Sequence, residues 1–413
     1  MSERLRPYLT RELPGVGGVI KADADDFRVD ELPLYDACGE GTHVYFRVLK
    51  RGLPTPAAVA RIARFLEVNP NDVGYAGLKD AQAVTSQWMS VEHVDPAKLS
   101  DFRDGQIEIR DVTRHTNKLR RGHLAANRFR VRIREVDPDA IERARAILDV
   151  LRARGVPNYF GRQRFGLRGD TAELGKALLR DDAREFCSIY LGRPIDADPP
   201  GVQAARAAFD EGDLDGALEH WPRDFSAPRR ALSALRKRGP AAAVRTVDKR
   251  MRRLFVSAAQ SAVFNRVLAH RIDEIDTVRP GDLAKKTDSG GVFEVEDLSA
   301  DLPRAAAWQI SPTGPIPGTR GRLAGGEAGR IERAAIEAEG LTLEDFGLAG
   351  RLRVKGTRRA LRFALGEPTI EALDDYGRMY LELTFDAPPG SYATVVLREI
   401  TKNDHIDRTT SRG

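Results

Sequence analysis

The 413-residue sequence predicts an α+β fold in which both ends of the chain contribute strands to one sheet. Three observations favour this prediction. Segments typical of strands lie towards both ends of the chain, segments typical of helices dominate the middle, and 41% hydrophobic residues suffice for well-packed cores. At about 100–200 residues per domain, the length favours two domains.

The predicted strands are rich in β-branched and aromatic residues. His43–Leu49 follows a turn-like glycine pair, and residues 127–136 alternate with period two. In the second strand the apolar face contains Phe129, Val131 and Ile133, and the other face contains Arg128, Arg130, Arg132 and Arg134. We interpret that arginine face as a possible phosphate-binding wall. Residues 380–385 also alternate, and 393–400 is either a short strand or the start of a helix.

Helical periodicity predicts helices over 55–65, 139–154 and about 246–275. Gly155 is expected to end the second of these helices. Three stretches rich in proline, glycine or charge are interpreted as linkers: 196–201, 227–240 and 311–329.

The charge distribution indicates a polyanionic partner. The net charge is only +5, but residues 114–134 contain eight basic residues and no acidic one. Residues 223–253 contain eleven basic residues against two acidic ones, and residues 351–362 contain six and none. Three such patches together favour nucleic acid over a set of merely solvated faces.

Several functional classes are not expected. No apolar run approaches the roughly 18 residues of a membrane helix, and residues 1–18 lack the apolar core of a signal peptide, so we expect a cytoplasmic protein. Cys38 and Cys187 are too few for a disulfide framework or a zinc site made of cysteines. The histidines show no metal spacing and no glycine-rich nucleotide loop follows a strand, so neither a metal nor a nucleotide cofactor is expected.

One candidate catalytic group lies in the segment Gly74–Trp88. Asp80 is predicted to lie in a loop before an alternating strand, where a carboxylate is well placed to act as a nucleophile or general base. The neighbouring Lys79 could favour the ionised carboxylate or contact phosphate. A turn aspartate beside a surface lysine is the simpler structural explanation.

Two further segments combine aromatic residues with basic or turn-forming ones. Residues 156–166 contain three aromatic residues and two arginines, a mixture suited to base stacking and phosphate contact. In residues 388–399 a Pro-Gly turn presents Tyr392, which could stack on a base. The structural alternatives are an aromatic packing turn and a tyrosine in the core.

Together these segments resemble the TruD family of tRNA pseudouridine synthases. Residues 77–87 are similar to its catalytic signature, 158–166 to its second signature, and 390–399 to its C-terminal motif. Supporting similarities occur at Lys21, 26–31, 39–43, 114–120 and 127–129. The motifs follow the family order over about 21–399, and the match is loose only over about 197–351.

The resemblance implies that uridine in tRNA, at position 13 of the D arm, is isomerised to pseudouridine without a cofactor or metal. Asp80 corresponds to the family's catalytic carboxylate, as nucleophile or as the base that removes the 2′ proton. The implied substrate-binding residues are Phe27, Asn127, Phe129 and Tyr392, with Lys21 and Arg398 as candidates to orient Asp80.

The resemblance also implies the domain organisation. A discontinuous pseudouridine synthase domain, 1–154 and 357–413, would contain a mixed, mainly antiparallel sheet, and an inserted TRUD α+β domain would span 155–356. We consider two alternative functions. A non-catalytic RNA-binding protein would use the same basic and aromatic residues, and an RNA methyltransferase is disfavoured by the missing glycine-rich cofactor loop.

Overall fold

The computed structural model describes residues 6–348 and 354–404. The chain divides into two compact units. We call Tyr8–Val156 with Phe363–Gly413 the sheet unit, and Met1–Pro7 with Pro157–Arg362 the helical unit. No helix within the described residues is both long and apolar enough to cross a membrane.

The strands of the described residues lie in two regions of the chain, residues 27–157 and residues 283–387. They are β1 (Phe27–Pro33), β2 (His43–Arg51), β3 (Gly74–Tyr75), β4 (Val84–Glu92), β5 (Ile107–His115), β6 (Leu124–Arg134), β7 (Val156–Pro157), β8 (Leu283–Lys286), β9 (Val292–Glu294), β10 (Ile310–Ile316), β11 (Thr357–Ala360), β12 (Arg362–Phe363), β13 (Gly366–Asp375) and β14 (Arg378–Ala387).

The α-helices of the described residues are concentrated between Pro157 and Arg362. They are α1 (Thr55–Leu66), α2 (Pro96–Leu99), α3 (Ala140–Arg154), α4 (Thr171–Leu179), α5 (Ala183–Leu191), α6 (Pro200–Asp210), α7 (Leu214–His220), α8 (Ser226–Arg238), α9 (Pro240–Thr246), α10 (Lys249–His270), α11 (Leu298–Ala306), α12 (Gly326–Ala338), α13 (Leu343–Leu348) and α14 (Ala393–Thr401).

The sheet unit is built on an eight-stranded sheet. Seven strands follow the order β13-β14-β6-β1-β4-β2-β5, and β3 pairs with β4. Only β1 and β4 pair in parallel, and every other pair in this sheet is antiparallel. The predicted α+β class with a mixed, mainly antiparallel sheet completed by the C-terminal strands is therefore confirmed.

The alternation predicted for β6 decides which side of the sheet is covered. Val131 and Ile133 are fully buried, and the arginines between them point to the other face. Register with the neighbouring strands places Phe27, Val29 and Glu31 on the buried face. The same face of β2 and β4 packs against α1 in one hydrophobic core.

The predicted helices of the sheet unit form close to their predicted bounds. The helix α1 ends at Glu67 in the left-handed region, φ 59°, and α3 ends before Gly155, φ 94°, as expected for a glycine at this position. Residues 393–400, which the sequence left as strand or helix, form α14, which is buried along most of its length.

The helical unit corrects one of the three predicted linkers and shortens the other two. Residues 227–240 lie mostly within α8, so that prediction is wrong. Residues 196–199 and 317–325 do connect elements, but 200–201 begin α6, and 311–316 and 326–329 belong to β10 and α12. Proline and glycine misled the prediction, because Pro200, Pro228 and Pro240 occupy first turns of helices, where proline is tolerated. The long helix predicted over 246–275 is α10, and a small sheet of order β11-β10-β8-β9 lies in the same unit.

The N-terminal segment of the sheet unit is anchored on one buried carboxylate. Glu399, fully buried on α14, accepts hydrogen bonds from the backbone N–H groups of Leu9 (2.9 Å) and Thr10 (3.1 Å) and from the Thr10 hydroxyl (2.6 Å). Lys402 lies 3.5 Å from the same carboxylate. The segment that precedes Lys21 is thus tied to the C-terminal helix.

Replacing Glu399 should destabilise the protein strongly. Glu399→Ala would leave three buried donors without an acceptor and remove the partner of Lys402, so we expect a loss of about 3–5 kcal/mol in the free energy of unfolding. Urea denaturation followed by circular dichroism measures this loss. Glu371→Ala, at an exposed position of β13, serves as the control and should cost under about 0.5 kcal/mol. Equal losses in both variants would contradict the assignment of Glu399 as an anchor.

Candidate active site

Asp80 lies in the loop that connects β3 to β4, near the starts of the parallel strands β1 and β4. Its side chain is 42% exposed, and one carboxylate oxygen, Oδ2, lies 3.7 Å from the Nζ atom of Lys21. The carboxylate is therefore accessible to a ligand and has a cation at its side.

The loop that carries Asp80 is fixed by a buried chain of hydrogen bonds. The Thr55 hydroxyl, at the start of α1, donates to the side-chain oxygen of Gln87 at 2.8 Å. The Gln87 amide donates to the carbonyl of Gly77 at 3.2 Å, and the backbone N–H of Lys79 donates to the Thr55 hydroxyl at 2.9 Å. Both ends of the segment before Asp80 are thus attached to α1 and β4.

Lys79 forms a buried ion pair with Glu31 of β1, with 2.6 Å between Nζ and Oε2. Its side chain is 5% exposed and that of Glu31 is 1% exposed. The other Glu31 oxygen accepts the backbone N–H of Trp88 at 3.1 Å. Of the two roles considered for Lys79, phosphate contact is therefore wrong, because burial against Glu31 leaves the ammonium group no access to a phosphate.

Lys50 is a second buried lysine beneath the loop. Its ammonium group donates to the backbone carbonyls of Leu53 (2.5 Å) and Asp80 (3.0 Å). Burial lowers the pKa of Lys50 from 10.5 to about 8; the charge of Asp80 opposes this shift and that of Lys79 adds to it. Lys50 thus holds the backbone of Asp80 while leaving the carboxylate exposed.

Lys21 connects Asp80 to a row of aromatic rings on the buried face of the sheet. Its ammonium group lies 4.4 Å from the ring centroid of Phe27, and its own backbone adopts a left-handed conformation with φ 57°. Phe27 meets Phe129 edge-on at 6.1 Å, and Phe129 stacks on Phe385 at 5.2 Å. The structure therefore brings Asp80, Lys21, Phe27 and Phe129 together through successive contacts.

Asn127 lies two residues before Phe129 on the same face of β6, opposite Glu31 on one side and Ala387 on the other. Its side-chain oxygen is buried and has no hydrogen-bond partner among the described residues. Tyr392 lies five residues after Ala387, at the position that precedes α14, and is partly exposed. Strand register therefore places Asn127 and the segment that leads to Tyr392 at the same end of the paired strands β6 and β14.

Arg398 lies on α14 and is buried. Its Nε atom is 2.6 Å from Asp404, and its guanidinium lies 3.8 Å from the ring centroid of Tyr8. These contacts connect α14 to the N-terminal segment. The expected role of Arg398 in orienting Asp80 stays a prediction.

The aromatic residues of segment 156–166 have packing roles in the helical unit. Tyr159 and Phe160 are almost completely buried, and the Phe160 ring meets Phe264 of α10 edge-on at 5.6 Å. Asn265 accepts the backbone N–H of Phe160 and donates to its carbonyl. These contacts match the structural alternative of an aromatic packing turn.

The basic segment 114–134 divides into two parts. Carboxylates pair closely with three of the four arginines of β6, and Arg130 lies 3.9 Å from Glu382, so the predicted phosphate-binding wall is not a free cationic surface. The pairs with their shortest distances are Arg128 with Asp386 (2.8 Å), Arg132 with Glu382 (3.0 Å) and Arg134 with Asp26 (2.7 Å). Outside this strand, Lys118 and Arg121 donate to the neutral oxygens of Asn71 and Tyr75.

Comparison with known proteins decides the family. A model of the family TruD, tRNA pseudouridine synthase D, matches residues 5–400. This chain belongs to the TruD family. The expected family, enzyme class and fold are therefore confirmed, and the chain is an enzyme of a pseudouridine synthase family.

Similar members of the TruD family cover nearly the whole chain. The tRNA pseudouridine synthase D of Geobacter sulfurreducens is 45% identical over 96% of both chains. That of Geobacter metallireducens is 44% identical over 97% of this chain and 98% of its own. A crystal structure from Methanosarcina mazei that carries the TruD name superposes with a TM-score of 0.84 at 27% identity, covering 97% of this chain and 98% of the other.

Sequence reasoning assigned no role to four polar residues that hold the Asp80 loop in this TruD family member: Glu31, Lys50, Thr55 and Gln87. A signal for Lys50 existed in the alternation of β2, where Val44, Phe46 and Val48 are buried and Lys50 is the next residue on that face. A lysine in such a position must be paired or hydrogen-bonded. Its acceptors, two backbone carbonyls, have no sequence signature.

Removing the Lys50 ammonium should change how stability depends on pH. Because the folded pKa is about 8 and the ordinary value is 10.5, the unfolded chain binds more protons between these two pH values. Through this group, stability therefore rises with pH in that window. Lys50→Met lacks this rise, so wild type should gain up to about 3 kcal/mol relative to the variant between pH values of about 7.5 and 10.5.

Urea denaturation across that pH range measures the difference. Lys98→Met, at an exposed position of α2, is the matched control and should give a curve parallel to wild type. A Lys50→Met curve that is also parallel to wild type would show that burial does not lower the pKa of Lys50 in the folded protein.

Proposed function

We propose that this chain isomerises uridine to pseudouridine in tRNA, at position 13 of the D arm, with Asp80 as the catalytic residue. The half-exposed carboxylate of Asp80, 3.7 Å from the Lys21 ammonium on a loop held by buried hydrogen bonds, carries the proposal. Membership of the TruD family and relatives named tRNA pseudouridine synthase D support the tRNA uridine as substrate.

The reaction breaks the bond from uracil N1 to the sugar and forms one from C5 to the same sugar carbon. The C5 proton is released to solvent and N1 gains a proton. Asp80 would act either by attack on the sugar or base or by removal of the 2′ proton to give a glycal, and both roles need a carboxylate that reaches the nucleotide. The contacts support this access: Lys50 holds the Asp80 backbone while its carboxylate faces outward. We propose that Lys21 orients the carboxylate.

The uridine must leave its stack to reach Asp80, which costs a few kcal/mol. We propose that the unpartnered Asn127 oxygen accepts the N3–H of uracil and that its amide group donates to a uracil carbonyl. Tyr392 and Phe129 would stack on the base, each contact contributing about 1–3 kcal/mol. Phe27 is only 1% exposed beneath Lys21, so it would form the back wall of the pocket.

We further propose that residues 1–154 and 357–413 are the catalytic domain and that 155–356 is the inserted domain. Asp80, Asn127 and Tyr392 all lie within the sheet unit, which supports this division. Because tRNA is the proposed substrate, a cytoplasmic location is part of the proposal. The proposed chemistry uses only side chains of this protein.

Asp80→Asn should abolish pseudouridine formation and preserve RNA binding. The amide keeps the shape of the carboxylate but cannot act as a strong nucleophile or base, so we expect the rate to fall by at least about 10⁴-fold with the dissociation constant for tRNA unchanged within about threefold. The assay is tritium release from C5-labelled uridine in a tRNA transcript, followed by mapping of the modified position. Asp72→Asn, at an exposed turn aspartate before the same loop, is the matched control.

Each outcome of this assay bears on the alternative functions. Wild-type protein that binds tRNA but releases no tritium would favour the non-catalytic RNA-binding protein. A modified uridine outside the D arm would refute position 13. Wild-type activity in Asp80→Asn would refute the catalytic role of Asp80.

Lys21→Met should lower the catalytic rate without weakening tRNA binding. Methionine keeps the apolar contact with Phe27 but leaves Asp80 without the cation 3.7 Å away, and a misplaced catalytic group costs up to about 100-fold in rate. Single-turnover kinetics give the rate and filter binding gives the affinity. Lys21→Arg should recover part of the rate, whereas a wild-type rate in Lys21→Met would contradict a positioning role.

A further inference from the structure

A cavity lies on the opposite face of the sheet from the hydrogen bonds that hold the Asp80 loop. Gln87, which contacts that loop, and Trp88 alternate along β4, so their side chains point to opposite faces. The cavity, which we call the aromatic pocket, has a volume of about 240 Å³. Its main walls are Tyr35, Tyr45, Trp88, Leu119 and His123.

The aromatic walls of this pocket are held in place by specific contacts. The Tyr35 ring stacks on His115 with centroids 5.1 Å apart, and its hydroxyl lies 2.8 Å from Nδ1 of His123. The Tyr45 hydroxyl donates to the carbonyl of Asn117 at 2.8 Å. A rigid aromatic slot of this kind suits a flat ring system, since little conformational entropy is lost when one binds.

A wider cavity of about 480 Å³ continues from the aromatic pocket and shares Tyr35, Asp36 and His123 with it. Lys118 and Arg120 line this mouth. Within residues 6–348 and 354–404 the exposed Arg120 side chain has no hydrogen-bond or ion-pair partner, in contrast to the neutralised arginines of β6. The wider cavity therefore presents positive charge beside the aromatic pocket.

We propose that the aromatic pocket binds an unpaired guanine nucleotide of the RNA substrate, separate from the uridine at Asp80. The base would stack within the aromatic walls, and Lys118 and Arg120 would bind its flanking phosphates. The inference rests on the proposed function in that its partner is the tRNA substrate.

Asp36 favours guanine over the other bases. Asp36 lines both cavities, and its carboxylate can only accept hydrogen bonds when ionised. The Watson–Crick edge of guanine presents two adjacent donors, the N1–H and the 2-amino group, which one carboxylate can accept together. Uracil presents a carbonyl oxygen next to its donor, and cytosine and adenine present a ring-nitrogen lone pair next to theirs; a carboxylate repels both kinds of acceptor.

The first test measures tRNA affinity in an Asp80→Asn background, where no turnover occurs. Tyr35→Leu removes the stacking wall and should weaken binding of an unmodified tRNA transcript about 5- to 100-fold. Arg120→Gln, at an exposed position that should not affect folding, should lower the slope of log affinity against log salt by about 0.7–0.9. Arg110→Gln, which removes an exposed arginine already paired with Glu108, is the matched control.

The outcomes separate this inference from the proposed function. Wild-type affinity and salt slope in both Tyr35→Leu and Arg120→Gln would overturn the RNA-binding role of the pocket, even if the enzyme forms pseudouridine. Weakened binding in these variants would support it, even if tritium release from wild type failed.

The second test addresses base identity with nucleoside monophosphates and tryptophan fluorescence. GMP should quench Trp88 at lower concentration than AMP, CMP or UMP, and Trp88→Phe should remove the quenching signal. Asp36→Asn should abolish the preference for GMP. Equal quenching by the four nucleotides in wild type would overturn the assignment of guanine.

Discussion

The buried ion pair between Lys79 and Glu31 fixes the loop of the candidate catalytic residue to the first strand of the sheet. Two charges removed from water are costly unless each is paired and hydrogen-bonded. Here Glu31 also accepts a backbone N–H from β4, and the backbone N–H of Lys79 is bound by Thr55. The pair therefore joins β1, β4, α1 and the Asp80 loop, and its geometry decides where the Asp80 backbone can lie.

Lys50 completes this arrangement from below. Three buried charged residues, Glu31, Lys50 and Lys79, hold the short loop that contains Asp80. The carboxylate of Asp80 itself is half exposed. Burying these charges costs folding stability, but it fixes the backbone of the Asp80 loop. A rigid backbone allows the carboxylate to contact its substrate without reorganisation. The design agrees with membership of the TruD family, in which the expected chemistry depends on one carboxylate.

Two groups of basic residues on one face of the sheet have different electrostatic roles. Acidic residues of neighbouring strands compensate the arginines of β6, so this alternating run is a structural ladder of ion pairs. Among the residues that the structure describes, basic side chains without a carboxylate ion-pair partner lie instead in the turn before β6, beside the aromatic pocket. Net charge along the sequence cannot distinguish these two cases, because pairing partners such as Asp386 lie about 250 residues away.

The sequence by itself determined the α+β class, four strands of the sheet unit (β2, β4, β6 and β14), the long helix of the helical unit and the family, because period-two and helical patterns and ordered motifs are local properties of the chain. It also singled out Asp80 and Lys21, now 3.7 Å apart. Only the tertiary structure decided that Lys79 faces Glu31 and not phosphate, that Lys50 holds the Asp80 backbone, that the β6 arginines are neutralised, and that Tyr35, Trp88 and Arg120 share one cavity. These outcomes depend on strand register and on contacts between residues distant in sequence, which no local pattern encodes.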